Sequence, residues 1–469
     1  MEQGPRAAND SGESAPEETT ADDNGFQQLT IGLVDPVTNF DPLFAENLST
    51  MRVLSLIYDG LYTLDNRGEP KPAIAESVSV SGDGRTYTFT LRDNLFFHDS
   101  PVFTTGLGRR VTAADVKWAF ERTARLDVPP HAAHLLMNVV GFEGFYQEQR
   151  TIYDPQSRAY TGVPGIRAVN ANTLEITLVE EDSEFLKRLA SPWLYIYPRE
   201  ALAAERNPLR THPVGTAAYT FTRKEDSGTI ILAKDPTRNA PNRLTQPTIN
   251  RLNLVHYERE SDLFQRFARN EIDWIPELGP ETAQLIASEQ LTLNPSYEGT
   301  YELMRHPGQY RVLLFATNPA AEANLEALSV LLQDLSAETF NMRGRAEISL
   351  PSPQNGSAAN PDSVYYAPFT TTHATRVLLT AIQNRHLLPE SALRLVDTRA
   401  PINRTSILHR GTDSFHHSLT SHRSDYWLRF HAPILSLHHP GVQGIRSAGA
   451  PWLIHVETVT NPSDTQGAL

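Results

Sequence analysis

The chain has 469 residues, 40% hydrophobic and 20% charged, too long for one ordinary core, so two or three domains are expected. A formal net charge of −14 opposes binding to nucleic acid or to an anionic membrane. No cysteine is present, which excludes disulfide frameworks, thiolate zinc sites and thiol nucleophiles, and no apolar run reaches the ~18–20 residues a membrane span needs.

Glu2 to Gly25 is rich in Ser, Glu, Asp and Ala with almost no aliphatics, the composition of a disordered polar segment. Two readings stand for it: a cytosolic start with a loose tail, or a polar tether left where a signal segment was removed. Leu29 to Val34 is a short apolar run closed by Asp35-Pro36, as a buried strand stopped by proline would be. Asn39-Phe-Asp-Pro42 reads as a turn. Between Met51 and Tyr62, the residues Val53, Leu54, Leu56, Ile57, Leu61 and Tyr62 make a helical stripe, followed by a turn cluster ending at Gly68. Ser77 to Arg92 reads as a hairpin that turns at Gly82-Asp83-Gly84. A Gly-rich loop covers Ser100 to Arg110. Thr112 is the expected cap of the next helix, with Asp115 at its third position and Val116, Ala119, Phe120 and Thr123 on its inner face.

Gly165 to Leu178 is a second two-strand pattern, turning at Asn170-Ala171-Asn172. Asp262 to Trp274 reads as an amphipathic helix, with Leu263, Phe264 and Phe267 inward, and then a strand. Residues 351–362 are a polar loop, Thr375 to Ile382 a helix, Leu393 to Val396 a strand, and Ala432 to Pro440 an apolar strand. Internal repeats are absent.

Hydrolase and nucleotide motifs are missing: there is no Gly-x-Ser-x-Gly, no His-Glu-x-x-His and no Walker loop. The sixteen His include the pairs His416-His417 and His438-His439. Neighbours on a strand point to opposite faces, so neither pair makes a natural metal clamp, and structural or solvated His is the expectation. No catalytic residue, cofactor or metal is expected.

Several segments together carry a resemblance. Gly68 to Glu76, Val78 to Arg92, Phe96-Phe-His-Asp99 and Val111 to Arg122 resemble the opening region of the oligopeptide/dipeptide/nickel-binding family of ABC-transporter solute-binding proteins, family 5 of the extracellular solute-binding proteins. Asp41-Pro42, Tyr58-Asp-Gly-Leu-Tyr62, Gly165 to Leu178 and Asn270-Glu-Ile-Asp-Trp274 fit the same family in order. His212 to Phe221 resembles its Pro-Val-Gly-Thr-Gly-Pro-Tyr box, with Ala217 and Ala218 in place of Gly and Pro. The resemblance is good from about residue 29 to 275 and poor beyond.

That resemblance implies an α/β fold: the two-lobed class II periplasmic-binding-protein architecture, with mixed central sheets and an inserted α+β subdomain. Residues 1–27 would be a disordered polar tether, and 28–48, 185–258 and 430–457 lobe one. The inserted subdomain of lobe one would be 49–184, and lobe two 259–429, divergent and shorter than usual. The chain would cross between lobes near Val255–Glu260 and near Phe430–Pro433. The implied function is extracytoplasmic capture of a peptide or peptide-like solute in the interlobe cleft for an ABC importer. The partners are then a small peptide or peptide-like solute and an ABC transporter permease, with no nucleic acid. The protein would be a periplasmic or extracytoplasmic monomer, with a lipid anchor to the membrane as a further expectation. The alternative is a degenerate solute-binding fold acting as a structural, scaffold or sensor lipoprotein without transport.

For the site, the resemblance places one cleft-facing segment just after the first strand, here Val37, Thr38 and Asn39; read as residues alone they also fit an exposed loop. Peptide-binding members pair the ligand's ammonium with an Asp near a Trp. Asp425 with Trp427 is the carry-over, although the Trp-x-x-Asp-Tyr-like pattern is not in its usual form, and a surface Asp beside a core Trp is the other reading. Without such a carboxylate ordinary peptides are a poor fit, and the alternatives are a neutral, anionic or larger ligand, or a degenerate site.

Overall fold

The computed structural model describes residues 27–306 apart from 46, 131, 203–207, 236–246 and 289–291, the backbone of five strands between 309 and 431, and 434–460 apart from 447–449, 451–452, 455 and 457–458. From the amino end the chain forms β1 (Gln28–Leu33), α1 (Leu48–Ile57), β2 (Tyr62–Leu64), β3 (Pro70–Pro72), β4 (Ala75–Val80), β5 (Thr86–Leu91), α2 (Ala113–Arg122) and α3 (Phe142–Thr151). Next come β6 (Ile166–Ala168), β7 (Thr173–Thr177), α4 (Phe185–Arg188), β8 (Tyr219–Lys224), β9 (Ile230–Lys234) and β10 (Arg251–His256). Then follow α5 (Glu260–Ala268), β11 (Trp274–Ile275), α6 (Pro280–Ile286) and β12 (Glu302–His306). The five backbone strands are β13 (Gln309–Phe315), β14 (Arg345–Ser349), β15 (Val364–Pro368), β16 (Leu393–Leu395) and β17 (Asp425–His431), and β18 (Ile434–His438) closes the series.

A seven-stranded mixed sheet runs in the order β12-β18-β11-β1-β10-β9-β8. β1 is parallel to both β10 and β11, and the other pairs are antiparallel. Both faces are buried, which is why β1 reads as a nearly unbroken apolar run. One face carries Leu29, Ile31, Leu33, Leu252, Leu254, Trp274 and Ile434 into the main core, where α1 supplies Val53, Leu54 and Ile57. The other carries Val255, Ile275 and Leu437 against Leu263 and Phe267 of α5 and Ile286 of α6. Each such fully buried aliphatic or aromatic side chain contributes about 1.5–3 kcal/mol.

Two smaller sheets, β2-β3 and β4-β5-β7-β6, lie between α1 and α4 in sequence. The hairpin of β4 and β5 turns at Gly84, whose φ of +70° an L side chain rarely adopts. α2 starts with a capping box in which Thr112 and Asp115 satisfy one another's backbone N–H groups. The five-stranded sheet has the order β14-β17-β13-β15-β16.

Two expectations need correcting. The helical stripe ends at Ile57, not Tyr62. Tyr58 is extended, and the Ile57 carbonyl accepts a 2.9 Å hydrogen bond from the Ala217 N–H, so a distant backbone segment takes the place of the next helical turn. Similarly, β11 and β12, read from the sequence as part of 259–429, are strands of the same sheet as β1. The chain passes from that sheet to the five-stranded one between His306 and Gln309, and returns between His431 and Ile434. The polar stretch 351–362, the helix over Thr375 to Ile382 and the pair His416-His417 lie outside the described residues.

Candidate functional site

Parallel β1, β10 and β11 all end at one edge of the large sheet, and in open α/β sheets ligands gather beyond such carboxyl ends. Antiparallel pairing brings the start of β18 and the end of β12 to that edge too, with His306 opposite Ile434. Both passages to the five-stranded sheet therefore leave from the end where the parallel strands stop. α1 also begins there: Asn47 caps it by accepting the Thr50 N–H at 2.7 Å, and the Ser49 hydroxyl accepts the Asp35 N–H at 3.1 Å.

A cavity opens at this edge, on the α1 face. It is small, about 20 Å³, and the described residues that line it are Arg52, Trp274, Pro276, His306, Ile434, Arg446, Ala450, Leu453 and Ile454. Opposed residues of neighbouring strands share a face, so Trp274, His306 and Ile434 reach it together from β11, β12 and β18. Arg52 is buried and donates to Glu277 at 2.6 Å, so its charge is met just outside the lining. The His306 Nε2 bonds the Ser436 hydroxyl at 2.7 Å. Burial, then the Arg52 charge, then His438, lower the His306 pKa to about 4, so the imidazole is neutral at physiological pH. Trp274 is fully buried, and its indole N–H has no acceptor among the described residues. Arg446 is exposed and makes no ion pair among the described residues. Among the described residues the lining thus sets Arg446, the Arg52–Glu277 pair and the Trp274 N–H in apolar walls.

The sequence motifs occupy other places, and their work is to join elements. Arg122 at the end of α2 donates to both oxygens of Asp41 (2.8 and 2.5 Å) and to the Tyr197 hydroxyl (2.8 Å). His98 donates from Nε2 to the Ala217 carbonyl at 2.8 Å and accepts the Gly215 N–H at Nδ1, at 3.3 Å. A Cβ on Gly215 would lie 1.9 Å from the Ile57 carbonyl oxygen, so only glycine permits the approach that ends α1. Ala217, standing for the family's Gly, takes part through its backbone alone, so the replacement leaves the joint intact. The loop from Ser100 to Arg110 supplies Arg109, which bonds Asp115 at 2.6 and 2.8 Å and Glu200 at 2.7 and 2.8 Å.

Of the residues expected at the site, Val37 is in the main core and its carbonyl accepts from Lys224 Nζ at 2.8 Å. Thr38 is exposed. Asn39 caps a turn, accepting the Asp41 N–H at 2.9 Å. None of the three lines the cavity. Asp425 and Trp427 lie in β17, paired with Phe315 and Leu313. At about 3.3 Å per residue, Asp425 is about 20 Å along the strand from His431, where the chain returns to the large sheet. The pair His438-His439 is engaged structurally: His438 is buried and donates to the His439 carbonyl at 3.1 Å, and His439 stacks on Phe267 with centroids 4.2 Å apart. Among the described residues, no three His, Asp or Glu are grouped to hold a metal. Sequence reasoning missed Arg52, Glu277, Trp274, His306 and Arg446. The position of Trp274 in the Asn270-Glu-Ile-Asp-Trp274 motif was the one available signal.

The mixed sheet and its passages to a second sheet define the class by fold: the two-lobed α/β architecture of periplasmic binding proteins. The solved structure of Listeria monocytogenes OppA bound to peptide shares this fold, with a TM-score of 0.61 at 13% identity over 93% of this chain and 99% of that one. The family model for bacterial extracellular solute-binding proteins, family 5, matches residues 69–325. The chain belongs to that family. Among curated proteins it is similar to the glutathione-binding protein GsiB of Escherichia coli O1:K1, 28% identical over 193 residues, which cover 41% of this chain and 31% of GsiB. It is also similar to the dipeptide-binding protein DppE of Bacillus subtilis, 31% identical over 169 residues, which cover 36% of this chain and 28% of DppE. These matches span about a third of the relatives' length.

Proposed function

We propose that this protein captures a peptide or peptide-like solute outside the cytoplasm, between two lobes, and presents it to an ABC importer without chemical change. Family membership carries the reading, and the names of the relatives, as binding proteins for dipeptides and glutathione, support it. The topology supports a lobe boundary at the two sheet passages, 306–309 and 431–434, so that 259–306 joins lobe one. Solute would then meet the lobes beside the Arg52 and His306 cavity and shift the population toward a closed form. Val37, Thr38, Asn39, Asp425 and Trp427 remain candidate ligand contacts, and residues 1–27 a tether that a lipid anchor would hold at the membrane. The receptor acts as a monomer.

A thermal-shift screen of the purified chain against di- to pentapeptides, glutathione included, tests this. A ligand at 100 times its Kd should stabilise by about 2.7 kcal/mol. A flat response across the library would contradict peptide capture and leave the scaffold or sensor reading in its place.

A further inference from the structure

We propose that β4 is a pairing edge: two copies of the protein join reversibly, β4 against β4, in an antiparallel register centred on Ser79. This goes beyond the receptor reading, in which each copy acts alone on its solute.

β4 ends the sheet β4-β5-β7-β6 and has β5 as its one strand neighbour among the described residues. Ser77, Ser79, Val80 and Ser81 are exposed, Val80 by 46%. Ser81 donates its N–H to the Thr86 carbonyl at 2.8 Å. Antiparallel partners alternate, so Ser79 and Ser77, opposite Thr88 and Thr90, also turn their backbone groups to β5. The N–H and C=O groups of Val78 and Val80 then point to the open side. Natural edge strands are usually guarded by Lys, Pro or a bulge. Here a register shift between Ala75 and Ser77 guards only the start, and Ser77 to Ser81 holds no charge and no proline. That stretch, Ser-Val-Ser-Val-Ser, reads the same in both directions. A second copy turned about Ser79 therefore sets Val78 against Val80 twice, each pair exchanging two backbone hydrogen bonds, and sets Ser against Ser on the outer face. Like charges do not meet: Glu76 comes level with Gly82 of the second copy, and Asp83 is already joined to Arg85 at 3.1 Å. So short a ribbon buries far less than the ~1,200–2,000 Å² of a stable complex, and each chain carries a net −14, so the pair is transient and tightens with salt.

The test uses the full chain, which has no cysteine, with Ser79→Cys or Ser77→Cys introduced. On the pairing axis the two copies of position 79 stand about 4.5 Å apart, within disulfide reach, whereas those of position 77 are about 13 Å apart along the strands. Both sites are exposed serines of one face, so chance collision would oxidise them alike. Under mild oxidation Ser79→Cys should form the disulfide-linked dimer at least tenfold faster than Ser77→Cys, and faster still in salt. Adding Val80→Lys, which places a charge on the open edge, should remove that advantage while circular dichroism shows the fold kept. Equal rates at the two sites, no dimer at either, or a folded Val80→Lys chain that links as before, overturns the inference.

Discussion

Replacing Asp41 by Ala tests the claim that the family's motif residues hold elements together. The Arg122 and Asp41 side chains are 3% and 0% exposed and joined by two hydrogen bonds. Removing one member of a buried pair strands the other charge and costs about 3–5 kcal/mol. Among the described residues Arg122 would keep the Tyr197 hydroxyl alone, whose own pKa burial has pushed up to about 12, so it cannot serve as an anion. Asp41 also caps a turn by accepting the Leu43 N–H at 3.2 Å, a contact of about 1 kcal/mol. The expected loss is about 4–6 kcal/mol, or roughly 8–24 °C for a unit of 150–250 residues. Urea unfolding followed by circular dichroism measures it. Adding Arg122→Met removes the stranded charge and should recover at least half of the loss. A single variant costing less than about 1 kcal/mol, or a double variant with summed costs, would refute the reasoning.

Gly215→Ala forces a Cβ against the Ile57 carbonyl and should cost well over ~1 kcal/mol in melting experiments, with the His98 proton resonances displaced. Glu277→Gln removes the carboxylate charge that Arg52 meets at 2.6 Å; its melting temperature should fall, and should rise with added acetate more steeply than that of the unaltered protein. His306 titrates at about 4 in the folded chain, below the ~6.5 of an unfolded one, so the unfolded state binds more protons between those values. Its contribution to stability is complete above pH ~6.5 and is lost as pH falls toward about 4; discounted for its part exposure it is about 1–2 kcal/mol. His306→Gln should flatten the stability profile across that window, and an unchanged profile would contradict the assignment.

The elements that were legible in the sequence are those whose signal is local. The β4–β5 hairpin rests on alternation and a Gly turn, and the start of α2 on a capping box. Family resemblance added the two-lobed fold. The end of α1 was illegible because a segment about 160 residues away captures the Ile57 carbonyl. The sheet membership of β11 and β12 was hidden for a similar reason: two and five residues carry little periodicity, and their pairing with β18 spans well over a hundred residues. The cavity is the same case in sharper form. Arg52 carries no local signal of its role, because its partner Glu277 is 225 positions away. Val37 and Asn39, chosen by analogy, also have core and turn partners that no local pattern announced.

Native mass spectrometry of the gently purified protein, followed by analysis of what unfolding releases, tests the central claim most directly. A discrete extra mass, lost on unfolding and identified as a peptide or a peptide-like acid, is the expected result. A bare chain mass, joined to a peptide library that leaves the melting temperature unmoved, would contradict a solute receptor.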